Sequence, residues 1–355
     1  MAKEQLEKIP EIDLILGINE KNDIVKHLAD KEKEKTNMLA QEETMVEVSD
    51  VLHQTEFLDF GEVTYTEKTR AVVKVQDGCN QFCSYCIIPY ARGRIRSRRP
   101  ESVIKEITAI SKKGIKEVVL TGIHLASYGK DFEKNDALID LLEKIEKVEG
   151  IQRIRLGSLE PTLISEEFVE RLSKLSKICD HFHLSLQSGC DETLKRMNRK
   201  YTIEVFERGV ELLRSAFPNV NLTTDIIVGF PGETKEEFDK TYDFLKKIQF
   251  YKMHIFKYSP RKGTVASKME NQIDGNVKEQ RSRLLIDLSA KNEEAYHRKY
   301  LGRQVEVLWE EENHGLMTGH TKNYMKIQKK KEETNGKTNT MEIVTIQNMD
   351  EMMNS

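Results

Sequence analysis

Nowhere in the 355 residues does an uninterrupted apolar run approach the roughly 18 residues of a membrane-spanning helix. The opening MAKEQLEKIPEIDL also lacks the basic-then-apolar layout of a secretory signal. These absences predict a cytoplasmic protein with no membrane partner. Cysteine is scarce and odd in number: Cys79, Cys83, Cys86, Cys179 and Cys190, three of them within eight residues. That pattern argues against a secreted disulfide framework and for thiolates kept reduced to hold a metal. Nor does either charge dominate, since 56 Lys and Arg face 59 Asp and Glu for a net of −3. With 38% hydrophobic residues the chain is no disordered tail and has material for one sizeable core plus small appendages.

The charge is unevenly spread. Residues 1–60 carry seven Lys/Arg against fifteen Asp/Glu, a local net of −8. A strand over Ile12–Ile18 and a helix over NDIVKHLAD can be drawn there, with Lys31–Glu43 expected as a linker. Such a piece cannot build a domain core. From Ala71 the pattern becomes short apolar runs alternating with amphipathic stretches. It predicts strands over 71–78, 116–122, 151–161, 181–189, 221–232 and 252–260. Helices are predicted over 100–114, with Pro100 in the first turn and Gly114 as a stop, and over 136–150, 166–178, 234–249 and 277–300. Alternating strands and helices imply an α/β fold with a parallel sheet, open or curled into a barrel. Functional residues then belong just after the strand C-terminal ends.

The chemically unusual residues fall at those ends. The first strand runs into Gly78-Cys79-Asn80-Gln81-Phe82-Cys83-Ser84-Tyr85-Cys86. Three soft thiolates on one loop can wrap a single metal centre and leave a coordination position unfilled. A zinc site completed by a distant Cys or His is the alternative that spacing leaves open. Small and polar groups follow the later strands: Thr121-Gly122, Ser158 to Pro161, Gln187-Ser188-Gly189 and Gly229 to Glu233. Such groups suit a bound nucleoside better than a structural zinc.

The Cys79-x3-Cys83-x2-Cys86 loop, with Tyr85 before the last cysteine, resembles the radical SAM superfamily. The phrases IIPYARGRIRSR, LTGIHLASYG, HLSLQSGCDETLKRMNRKY, TDIIVGFPGET and HIFKYSPRKGT are similar to its methylthiotransferases. Within that family the likeness is greatest to the members acting on threonylcarbamoyladenosine beside the tRNA anticodon, rather than to those acting on isopentenyladenosine or a ribosomal protein. The resemblance implies a partial (β/α)6 barrel at 61–298, a TRAM-like small β-barrel that binds RNA at 299–355, and a remnant of an N-terminal domain plus linker at 1–60. It implies one 4Fe-4S cluster on Cys79, Cys83 and Cys86, whose open iron takes S-adenosylmethionine. It places Tyr85 near the adenine, and Thr121 and Gly122 where the family's Gly-Gly-Glu motif meets the methionine amine, though without its acid. Glu160, Ser185, Gln187, Ile227, Gly229 and Glu233 become ribose and adenine candidates, with strand-end capping as their plainer use.

The family also carries an auxiliary 4Fe-4S cluster on three N-terminal cysteines. No cysteine precedes Cys79, so those ligands are missing and the chain is expected to be truncated. A separate chain carrying that domain is then an expected partner, as are tRNA and an electron donor of the flavodoxin or ferredoxin class. Cys179 and Cys190 are expected as small buried side chains, not replacement ligands. The expected activity is methylthiolation at carbon 2 of threonylcarbamoyladenosine. The alternatives are SAM cleavage without sulfur insertion, and a noncatalytic, metal-stabilised RNA-binding protein.

RNA contact calls for positive charge. Arg92, Arg94, Arg96, Arg98 and Arg99 crowd eight residues with no acid among them. They are expected on phosphates and splayed bases, with a solvated salt-bridged face as the bland alternative. After Gly302 the sequence alternates in strand fashion, and residues 320–337 hold six Lys against two Glu. There His320, Lys322 and Tyr324 are candidate RNA contacts. Trp309 is expected as a core anchor, and His181 and His183 as core or substrate-lining residues.

Overall fold

The computed structural model describes residues 3–36, 44–59, 61, 69–134 and 136–353. Six strands follow in order: β1 (Arg70–Asp77), β2 (Glu117–Gly122), β3 (Arg153–Leu156), β4 (His181–Gln187), β5 (Asn221–Val228) and β6 (Lys252–Lys257). β1, β2 and β3 pair in parallel, as do β4, β5 and β6. Two parallel bridges, Ile154 with Ile178 and Leu159 with Leu184, join the halves. The wall is a partial barrel, because among the described residues β6 does not pair with β1. The predicted third strand shortens to Arg153–Leu156. The chain then leaves β2, and Leu159 accepts its new partner on β4, donating its N–H to the His183 carbonyl at 2.8 Å.

Helices α1 (Pro100–Lys112), α2 (Ala137–Glu146), α3 (Glu166–Ser173), α4 (Ile203–Ala216), α5 (Lys235–Ile248) and α6 (Gly275–Arg298) accompany the strands. Of these, α4 is a helix the sequence patterns above did not single out. Period-two alternation sorts the strand side chains. On β4, Phe182, Leu184 and Leu186 join the core with Phe206, Phe217 and Phe244 of the helix layer. His181, His183, Ser185 and Gln187 take the opposite face, toward the lumen. Local chemistry fixes the joints: Thr234 accepts from the Glu237 N–H while Glu237 accepts from the Thr234 N–H, a reciprocal cap that starts α5.

The acidic leader differs from expectation. Leu14–Leu16 pairs in parallel with Met45–Glu47, and the helix Ile24–Thr36 runs through the first half of the expected linker. Lys, Glu and Ala are good helix formers whatever their charge, so low apolar content did not stop the helix there. Residues 37–43 lie outside the described residues.

The C-terminal segment is an antiparallel sheet of β7 (Gln304–Asn313), β8 (Leu316–Thr321), β9 (Lys326–Lys330), β10 (Thr340–Thr345) and β11 (Met352–Met353), in the order β10-β7-β8-β9-β11. Val305, Val307, Trp309, Met317, Met325 and Ile327 form its core. Trp309 is fully buried and donates its indole N–H to Glu342 at 2.6 Å, the anchor the sequence suggested.

This sheet docks on the N-terminal end of the barrel. Tyr324, held at φ +72°, stacks with His320 and with His181 at centroid distances of 4.7 and 4.8 Å. The Arg155 guanidinium lies over the same ring at 4.4 Å. Arg153 donates to the His320 carbonyl at 2.9 Å, and Lys322 to the Ser176 carbonyl at 2.8 Å. Beneath them Glu117, fully buried, faces Arg155 at 2.8 Å, Arg70 at 2.9 Å and Arg153 at 3.9 Å. His320, Lys322 and Tyr324 therefore spend their side chains on the interdomain joint.

Candidate functional site

Gln76 and Asp77 end β1 and aim the cysteine loop. Gln76 is fully buried; its amide donates to the carbonyls of Asp77 and Gly78 at 2.7 Å each, and its oxygen accepts from the His124 N–H at 2.7 Å. One side chain thus ties the ends of β1 and β2 together. Gly78 follows at φ +70°, and a Cβ there would lie 1.7 Å from the Arg94 carbonyl oxygen, so only glycine fits. Ser84 pins the far side of the loop, its N–H on the Met197 carbonyl at 3.0 Å and its hydroxyl on that of Arg196 at 2.8 Å.

Cys79 and Cys83 are buried and Cys86 is half-buried. Burial pushes the Cys79 thiol up to about 11 and also raises Cys86. Those two thiols therefore ionise when a metal claims them. A single tetrahedral zinc brings its sulfurs to about 3.8 Å of one another. Among the described residues the one trio of His, Cys, Asp or Glu ligand atoms all within 4.8 Å is His183, Asp225 and His254. The three loop sulfurs do not form such a trio. Backbone and side-chain donors already face them: the Gln81 N–H lies 3.4 Å from Cys79 Sγ and Arg199 Nη1 3.1 Å from Cys83 Sγ. Cys179 and Cys190 are each buried away from the loop, and burial raises both thiols.

Arg199 leads to a group the sequence did not single out. Its Nη2 stands 2.8 Å from Glu160 Oε1, while Gln81 and His124 reach Glu160 Oε2 at 2.9 and 2.8 Å. Burial raises the Glu160 carboxyl, but His124 and Arg199 outweigh it and hold it below the ordinary carboxylate range. Glu160, expected on a ribose, is thus the hub that couples the cysteine loop to the ends of β2 and β4. Both partners lie inside quoted phrases, but they meet only through strand-end geometry. Glu160→Gln, which keeps the shape and removes the charge, is expected to lower stability by about 1–3 kcal/mol. A thermal midpoint equal to wild type would show that Arg199 is not held by that charge.

The other candidates separate into three places. Tyr85, Cys86, Ile227, Phe256 and Tyr258 line a cavity of about 250 Å3, so the loop and the end of β5 do meet. Thr121, Gly122, Ser185 and Gln187 stand half-buried at the ends of β2 and β4, Gln187 at φ +72° where the β4–β5 register slips. Glu233 turns inward: it accepts from the Gly229 and Phe230 N–H groups and faces Arg281 at 3.4 Å. With 4% exposure it braces the Gly229 turn.

The arginine run also divides. Residues 96–97 pair antiparallel with β1, which buries Arg96 beside Asp77 at 3.5 Å and Arg98 between Glu106 and Asp59. Both guanidiniums are held by carboxylates. The acids that claim them come from other elements, which the acid-free run could not reveal. Arg92 is partly exposed 4.0 Å from Asp77, Arg94 is exposed, and Arg99 is exposed with its guanidinium 4.6 Å over the Phe132 ring. Arg94, Arg99 and Lys130 line a cavity of about 570 Å3 beside Asn80.

Residues 73–245 match the family model described as the Radical SAM superfamily. The threonylcarbamoyladenosine tRNA methylthiotransferase MtaB of Bacillus subtilis is 40% identical over 90% of this chain and 70% of its own length. The enzyme of the same name from Aquifex aeolicus is 39% identical over 92% of this chain and 76% of its own. A tRNA-2-methylthio-N(6)-dimethylallyladenosine synthase from Caldicellulosiruptor saccharolyticus is 41% identical over 81% of this chain and 58% of its own.

Proposed function

The chain belongs to the radical SAM methylthiotransferase family, and from that premise we propose that it methylthiolates carbon 2 of threonylcarbamoyladenosine beside the tRNA anticodon. The observation carrying the reading is the placement of Cys79, Cys83 and Cys86 on one loop at the strand ends, next to the cavity that Tyr85, Cys86 and Ile227 line. The cluster and S-adenosylmethionine, when bound, supply the one-electron chemistry that activates a carbon–hydrogen bond.

The chain's own residues do the rest. Tyr85 and Ile227 offer apolar surface to a nucleoside, Thr121 and Gly122 a small polar strand end to the methionine amine, and Ser185 and Gln187 polar groups to the ribose. Arg199 lays a fixed positive charge against Cys83, and Glu160 keeps it there. Arg94, Arg99 and Lys130 are offered to anticodon-loop phosphates from a cavity that Glu56, Asp59 and Asp131 also line, with the partly exposed Arg92 as a further candidate. The division into a leader to residue 60, a radical core to 298 and a TRAM-like module beyond belongs to the same reading. So do a flavodoxin- or ferredoxin-class electron donor and a cytoplasmic setting; among the described residues no helix is long and apolar enough to cross a membrane.

A second reading rests on the cysteine count. Outside the loop the sequence has only Cys179 and Cys190, both buried thiols, which favours SAM cleavage without sulfur insertion by this chain. One experiment separates the readings: anaerobic reconstitution with iron and sulfide, reduction with dithionite, and mass analysis of nucleosides after incubation with SAM and tRNA. 5′-Deoxyadenosine together with a methylthiolated nucleoside is the expected result, the added sulfide serving as sulfur source where only about four irons per chain are bound. Deoxyadenosine without that nucleoside supports the second reading, and the absence of both would sink either one.

A further inference from the structure

Below the cysteine loop, on the lumen face of the second half-barrel, three side chains converge that the proposed chemistry does not use. Strand register brings them together: His183 of β4 sits opposite Thr223 of β5, and Asp225, two residues on, sits opposite His254 of β6. Their ligand atoms all lie within 4.8 Å of one another. His183 Nε2 is already 3.2 Å from Asp225 Oδ2. An ion with metal–ligand bonds of about 2.1 Å separates neighbouring donor atoms by about 3.0–3.4 Å, so this pair stands at the spacing of two sites on one ion.

The surroundings suit coordination. His183 is fixed through its other ring nitrogen, Nδ1 lying 3.0 Å from the Thr223 hydroxyl, which also meets His181 Nε2 at 3.2 Å. A ligand imidazole is commonly held in this way, the outer hydrogen bond setting the ring so that the second nitrogen faces the metal. His183 is 14% exposed and Asp225 30%, while His254 is open to solvent. The donor set is therefore rigid at one side and accessible at the other. Two residues further along the same faces, Ile227 and Phe256 line the cavity shared with Cys86. At strand spacing this puts the trio about 7 Å deeper in the lumen.

We propose that His183, Asp225 and His254 form a second, mononuclear metal site in the barrel lumen, taking a zinc-class divalent cation. Two imidazoles and one carboxylate are the donors of such borderline ions, and three protein ligands leave positions open. The open positions face the lumen, where they take water or an oxygen of whatever molecule enters from the cavity above. The site stands on its own residues and is independent of the substrate assigned to the cluster.

The test is zinc content of the full chain, reconstituted with iron and sulfide and then equilibrated with low micromolar Zn2+. About one zinc per chain is expected in addition to the cluster iron. His254→Ala, at an exposed position, is expected to lose that zinc with iron content unchanged, and Thr223→Val to weaken zinc binding by about 10- to 100-fold. Iron serves as the internal control for folding. Equal zinc in wild type and His254→Ala, or no zinc in wild type, would overturn the proposal. The same comparison in a variant with Cys79, Cys83 and Cys86 all replaced by alanine, read by Co2+ absorption, removes the cysteines as the source of any signal.

Discussion

Glu117→Ala is expected to cost about 3–5 kcal/mol of stability, the largest loss foreseen for any single side chain outside the apolar core. The carboxylate is completely buried and is the shared counter-charge of Arg155, Arg70 and Arg153. Its removal leaves three guanidiniums crowded at the joint between barrel and C-terminal sheet. Denaturant unfolding of the two proteins checks it, and a loss below about 1 kcal/mol would show that the arginines find other partners. The pH dependence has a definite sign. Burial tends to raise the Glu117 carboxyl, but Arg155, Arg70 and Arg153 outweigh burial and hold it below the ordinary carboxylate range. A group depressed on folding contributes fully above its unfolded value of about 4.3, and the contribution disappears as pH falls through the folded value. The gap between wild type and Glu117→Gln should therefore be constant near neutrality and close only in acid.

Cys83→Ala is expected to reduce both bound iron and reductive SAM cleavage to the level of a protein-free control, while leaving the fold in place. Cys83 is the loop sulfur most closely engaged by the protein, with Arg199 Nη1 at 3.1 Å. Three thiolates are the minimum that holds a four-iron cluster with one iron free, so no partial site survives the loss of one. The fold does not depend on it, because the loop is pinned through Gln76, Gly78 and Ser84 by backbone hydrogen bonds. Iron analysis and far-UV circular dichroism on one sample check both halves. Retained iron with full cleavage activity would place the cluster elsewhere.

The strands were readable because apolar runs bounded by Gly, Pro and Asn leave few choices of period. Five of the six predicted starts and the whole order appear in the structure within a residue; the third strand begins two residues later than predicted. What the sequence concealed is consistently the partner of a charge. The arginine run read as a free cationic surface because no acid lies within it, yet Asp77, Glu106 and Asp59 arrive from other elements. Tyr324, His320 and Lys322 read as an RNA face because their composition is that of one, and nothing local shows a barrel mouth waiting for them. His124 and Arg199 went unnoticed for the converse reason: each is an ordinary residue in its own phrase and gains meaning only at Glu160. Three-dimensional convergence has no period, so pattern reading cannot find it.

The stacked Tyr324 also sets the direction of traffic. With His181 and His320 stacked on it and Arg155 over the ring, it fills the barrel at the end remote from the cysteines. That leaves the cysteine-side rim and, among the described residues, the unpaired seam between β6 and β1. Small molecules reach the lumen from the cysteine side or through that seam, where His254 stands open to solvent.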